Sequence, residues 1–158
     1  MWADTLLAAE RAHLLRLLAW GALSVLAGTA LLAVAGGRGA RERTDASGAS
    51  GADAGTGLLR HFALQTVAWG IAEGAIAALS LRTLALRDYV AAMRLDRVLW
   101  LNVGLDSGYI GMGVTLAIAA WTLGRRAAPV GAGIGIVVQG CALLALHLLL
   151  LSVTSRFA

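Results

Sequence analysis

The chain has 158 residues, of which 59% are hydrophobic and only 14% charged, with a single proline. Soluble domains average roughly 45–50% apolar and about 25% charged residues, so composition argues against a soluble globular domain. The net charge of +4 comes from thirteen arginines and no lysine against nine acids. The arginines sit mainly between apolar runs, a polytopic pattern that offers no nucleic-acid patch.

Four apolar runs predict four membrane-spanning helices over about 14–36, 58–81, 98–123 and 130–153, each close to the ~20 residues that cross a hydrocarbon core. The fold class is all-α: an integral membrane, up-down-up-down four-helix bundle that forms one domain over 1–158, with the lipid bilayer as its solvent. In the first run, Ala33-Val34-Ala35 resembles a cleavage site, but the apolar stretch is too long for a signal peptide and Asp4 and Glu10 spoil its n-region. It is expected to be a retained span. The segment 38–57, rich in small residues and without apolar period, is expected to be a flexible loop. Residues 82–97 mix arginines and aspartates with Leu84, Leu86, Tyr89, Val90 and Met93 and read as a helical extension near the headgroups. In the third span, Trp100 and Trp121 are spaced to place one indole in each interfacial belt. A tight turn at Gly124-Arg125-Arg126 follows, with Pro129 suited to the first turn of the last helix. Cys141 lies within the fourth run, which leaves no internal disulfide or multi-cysteine metal site and suggests a small packing residue. The arginines divide almost evenly between the two faces, and the termini are expected in the cytoplasm.

Glycines four apart recur at Gly70/Gly74, Gly104/Gly108 and Gly131/Gly135, which lets helix backbones approach closely in lipid. Gly108, Gly111 and Gly113 lie mid-span with no preceding strand, so they do not form a nucleotide loop.

Polar residues inside the spans carry the functional interest. Asn102, Asp106, Tyr109 and Gly113 form one stripe on the third span. The second carries Gln65, Trp69 and Glu73, the fourth Gln139 and His147, and the first Arg16, Trp20 and Ser24. Counted from one face, Trp20, Glu73, Asp106 and His147 fall within about 3 Å in depth, with Gln65, Trp69 and Gln139 in a second layer. Two carboxylates at one depth cannot both be ionised and unpaired, since each charge costs about 2.5–3.5 kcal/mol there. His147 is the expected partner. Arg16, near its boundary, is expected to snorkel to headgroups. His61 and His147 lie roughly 21 Å apart along the normal and His13 is placed at the interface out of reach, so no haem is expected. A metal on Glu73, Asp106 and His147 lacks any supporting ligand spacing among those three; no metal, cofactor or catalytic residue is assigned.

The segments Gln65-Thr66-Val67-Ala68-Trp69-Gly70, Asn102-Val103-Gly104-Leu105-Asp106-Ser107-Gly108-Tyr109 and Gly133-Ile134-Gly135 through Gln139-Gly140 resemble a family of small bacterial four-span membrane proteins known as a domain of unknown function. The resemblance implies a bacterial cytoplasmic (inner) membrane protein without an established activity.

The leading expectation is a binding or transport module whose polar intramembrane site, a ligand or proton pathway drawn from Trp20, Gln65, Trp69, Glu73, Asn102, Asp106, Tyr109, Gln139 and His147, takes a small cationic or amphipathic ligand, with carboxylate protonation changing on its release. Four spans are few for a monomeric transporter, so a homodimer through the glycine face of the third span is expected. Two alternatives stand beside it. One is an enzyme on a lipid-embedded substrate with Asp106 or Glu73 as base and His147 as acid; the other is an accessory subunit in which these side chains are interhelical ties worth about 0.6–2 kcal/mol each.

Overall fold

The computed structural model describes residues 2–44 and 49–156, and the side chains of 2–39 and 54–156. Four helices follow in order: α1 Trp2–Thr44, α2 Ala49–Arg82, α3 Tyr89–Thr122 and α4 Ala127–Thr154. Each is long and apolar enough to cross a membrane, and the described residues contain no strand. A helix satisfies its own backbone groups, which is why it is the form such segments take in lipid.

The helices run beyond the hydropathy limits. The loop expected over 38–57 is helical on both flanks, because α1 continues to Thr44 and α2 begins at Ala49; residues 45–48 of that expectation lie outside the described residues. Small residues without Pro do not stop a helix that a packed neighbour supports. The expected extension over 82–97 divides in two. Residues 83–88 connect, and from Tyr89 the chain is already α3, capped by Asp88, whose carboxylate accepts from the Ala91 N–H at 2.7 Å. At the other end of α3, Gly124 takes φ 135° and Arg125 φ 52°. The Arg125 and Arg126 amides then return to the carbonyls of Trp121 and Ala120 at 3.0 Å each. Pro129 falls in the first turn of α4.

Packing is unequal. α4 contacts all three other helices, α1 and α2 contact each other, and α3 packs its backbone only on α4 among the described residues. The buried positions of α3 accordingly recur every seventh residue, Ala92, Leu99, Asp106, Gly113 and Ala120, the narrow seam of a helix with one neighbour. In α1 they follow steps of three and four through Leu6, Glu10, His13, Leu17, Gly21, Ser24 and Gly28. Leu26, Ile71, Leu79, Trp100, Leu101, Ile118 and Trp121 are exposed, whereas Glu10, His13, Ser24, Glu73, Asp106, Gln139 and His147 are buried. That inversion suits a lipid surround, in which polar groups must find partners inside the bundle. Cys141, expected to pack, is exposed instead.

Glycine sets the close approaches. A Cβ on Gly70 would lie 2.7 Å from the Gly21 carbonyl oxygen, and one on Gly113 would lie 2.7 Å from that of Gly133, so α1 meets α2 and α3 meets α4 backbone to backbone. Gly131 and Gly135 do the same for α4 against Leu58 and Gln65 of α2. The third pair differs: Gly104 and Gly108 face open space.

Candidate functional site

The bundle interior carries polar groups in three successive layers. Nearest the chain termini, Glu10 of α1 accepts from Arg87 Nε of the α2–α3 connection at 2.5 Å. The other Glu10 oxygen is buried and has no partner among the described residues. At the same end Thr154 donates to Asp96 at 3.4 Å, tying α4 to α3. Above this end lies a cavity of about 310 Å³. It sits between α1, α2 and α3, which leave room because α3 keeps its backbone away from both α1 and α2. Its polar wall is Glu10, His13, Ser80, Thr83, Arg87, Asn102 and His147, and leucines from α1, α3, α4 and the α2–α3 connection, with Ile76 and Val98, complete it.

The middle layer contains the acids. Asp106, 2% exposed, is bonded to His147 across 2.6 Å between Oδ2 and Nδ1. This engages Nδ1 and leaves Nε2 as the other nitrogen of a ring that lines the cavity. Gly140 lets α3 come close here, since a Cβ on it would lie 2.9 Å from Ile110 Cγ1 and 3.3 Å from the Asp106 carbonyl oxygen. His13 lies beside His147, with ring centroids 5.4 Å apart. Glu73, 3% exposed, completes the layer from α2; neither of its oxygens has a hydrogen-bond partner among the described residues, and Asp106 is its electrostatic neighbour.

The third layer is satisfied and packed. Trp20 Nε1 donates to Gln139 Oε1 at 2.7 Å, and Gln139 Nε2 donates to Ser24 Oγ at 3.2 Å, so one buried amide bridges two turns of α1. The Trp69 ring meets Tyr109 edge-on with centroids 5.0 Å apart. Gln65 presents its Cβ to Gly135.

Of the residues singled out from sequence, Asn102 and His147 line the cavity, Asp106 holds His147, and Glu73 is buried and unbonded within the electrostatic reach of Asp106. Trp20, Gln139, Trp69, Tyr109 and Gln65 belong to the packed layer. Two placements need correction. Trp20 does not share the depth of His147: its partner Gln139 is two turns of α4 away, and the α1 residue level with His147 is His13. His13 is therefore within reach of His147, contrary to the expectation that it lay apart at the interface. The physical reason is that α1 begins at Trp2 and enters the bundle long before the apolar run starts, so a depth counted from Leu14 is wrong by two turns. Arg16 is exposed on α1.

Glu10, His13 and Arg87 are the site residues that sequence reasoning missed. A signal existed for the first two: Leu6, Glu10, His13, Leu17, Gly21 and Ser24 keep the step of three and four residues that marks one helix face. Glu10 and His13 also carry a Glu-x-x-His spacing, which by itself is a common arrangement on helices. Among the described residues no group of three His, Cys, Asp or Glu side chains is arranged to hold a metal ion.

Four long apolar helices, an apolar exterior and a buried polar column define a multi-pass helical membrane protein. The chain belongs to a family of unknown function, DUF6992, which it matches over residues 16–148. That stretch includes Glu73, Asp106 and His147 and stops short of Glu10 and His13. No curated protein and no solved structure matches the chain.

Proposed function

We propose that this protein is a binding or transport module of the bacterial inner membrane that takes a small cationic or amphipathic ligand into the cavity at the terminal end of the bundle. The observation that carries the reading is the composition of that cavity. Its volume of about 310 Å³ falls at the small end of ligand sites, which span roughly 300–1,000 Å³. Apolar walls accept an aliphatic body, and the unpartnered oxygen of Glu10 accepts a hydrogen bond from an ammonium head. The separation of α2 from α3 supports lateral access from one leaflet. The exposed face of α3 at Gly104 and Gly108 is the surface through which two copies would pair.

Calorimetry in detergent with hexylammonium, hexanol and hexanoate tests the reading. Hexylammonium should bind most tightly, and Glu10→Gln should weaken it about tenfold, the loss of one charged hydrogen bond. Leu95→Trp, which fills the cavity, should abolish it. Equal heats from all three probes, unchanged by either substitution, would refute a selective site. Loss of vesicle uptake with intact binding would assign binding rather than transport.

A further inference from the structure

The binding reading leaves Glu73 without a task, and its surroundings are unusual. It sits in the interior of a membrane-spanning helix, one turn beyond Ile76 and two turns beyond Ser80 of the cavity wall. Both of its oxygens are buried, and no described side chain or backbone group bonds to them. A residue kept for helix register must grip a neighbouring helix, as Gln139 does through Trp20 and Ser24. Glu73 grips nothing. A carboxylate ionised in that position would carry the full cost of an unpaired intramembrane charge, whereas a bound proton removes it.

Asp106 lies in the opposite environment. It acts electrostatically on Glu73 across the gap between α2 and α3 yet has a strong partner in His147. Two carboxyl groups of unequal surroundings divide their roles, one bonded to a partner and one left to hold a proton. The bonded one is in turn joined to the cavity, because His147 is both the partner of Asp106 and part of the cavity wall.

We propose that Glu73 is a proton-binding carboxyl that exchanges with the cavity through the Asp106–His147 pair. The inbound step balances as a shift of protons alone. The imidazole of His147 gains a proton at Nε2 from the cavity and gives up the one on Nδ1 to Asp106 Oδ2. Asp106 passes a proton to Glu73 through a rotation of the Glu73 side chain or through one water. The ring regains its starting tautomer by turning over. The titratable group that bears on Glu73 is Asp106 on α3; the titratable and charged groups of the cavity next to it are Glu10 and His13 on α1, His147 on α4 and Arg87 on the connection, with Arg16 exposed on α1. His147 lines the cavity and holds Asp106, so occupancy of the cavity acts on the exchange. Only that coupling rests on the binding reading; the exchange needs no ligand.

The test is infrared spectroscopy of the full chain in phosphatidylcholine vesicles, following the C=O stretch of a protonated carboxylic acid. The band should be present at neutral pH, fade as pH rises, shift in D₂O and vanish in Glu73→Gln. If that variant does not fold, Glu73→Asp should keep the band at an altered frequency. Asp106→Asn and His147→Gln should retain the band but slow its D₂O shift by about tenfold or more, a barrier change of about 1.4 kcal/mol. A Glu73 band absent at every pH, or a shift rate unchanged in both variants, would overturn the proposal. If hexylammonium fails to bind while the band behaves as stated, the binding reading falls and the proton site stands.

Discussion

Toward the C-terminal end of α1 and the N-terminal end of α4, the helices touch through Gly21, Gly70, Gly113, Gly131 and Gly133, and the polar groups there, Trp20, Gln139 and Ser24, satisfy one another. Toward the termini no glycine among the described residues mediates a contact. The facing positions are Glu10, His13, Leu99, His147 and Leu150, and a cavity remains between them. Side-chain size alone sets these separations, since bare backbones meet at one end and long side chains prop the helices apart at the other. The difference teaches where to look for function in such a bundle. Satisfied polar groups accompany close packing and serve cohesion; of the unsatisfied ones, the free oxygen of Glu10 belongs to the cavity wall and those of Glu73 lie one turn beyond it.

The comparison breaks most visibly at the tight end. Gly113→Leu places a side chain against the Gly133 carbonyl and the Val137 amide, backbone atoms that cannot move aside. It should cost about 3 kcal/mol, the upper range for overpacking, seen as a lowered melting temperature in detergent. Asp106→Leu should come next, at about 2 kcal/mol, because it strands a buried imidazole. Asp106→Asn should cost about half as much if hydrogen bonding outweighs charge, and an unchanged melting temperature in the Leu variant would remove the pair from the stability account. Trp20→Phe deletes one interhelical hydrogen bond and should cost about 1 kcal/mol, within the span found for such bonds in membrane bundles. Gly104→Ala sharpens the contrast: nothing lies near its Cβ, so stability should hold or rise by a few tenths of a kcal/mol through helix propensity, roughly as in other exposed helices.

Much of this architecture was legible in the sequence because lipid imposes a length and a hydropathy that no other solvent does. The four spans, the Asp106–His147 pairing and the turn at Gly124 each follow from local chemistry. What escaped was register. Hydropathy marks where apolar residues begin, not where a helix begins, and α1 carries Glu10 and His13 into the bundle among residues that read as polar flank. Arg87 escaped for a different reason: its role depends on how a six-residue connection folds back over α1, and no periodicity encodes that. The open face at Gly104 and Gly108 could not be told from the closed one at Gly131 and Gly135, because the spacing is the same and only the arrangement of neighbours differs.

The attachment of α3 to α4 alone has a consequence for biosynthesis. Asp106 and His147 are separated by 41 residues, so at translation speeds of about 5–20 residues per second the acid emerges some 2–8 s before its partner. During that interval α3 stands in the bilayer with a carboxyl group that costs about 2.5–3.5 kcal/mol at mid-helix on the insertion scale and no neighbouring helix to receive it. α4 follows α3 and is the helix that receives it. A ribosome that stalls between the two leaves α1 packed on α2 and α3 unattached, a ready substrate for membrane quality control.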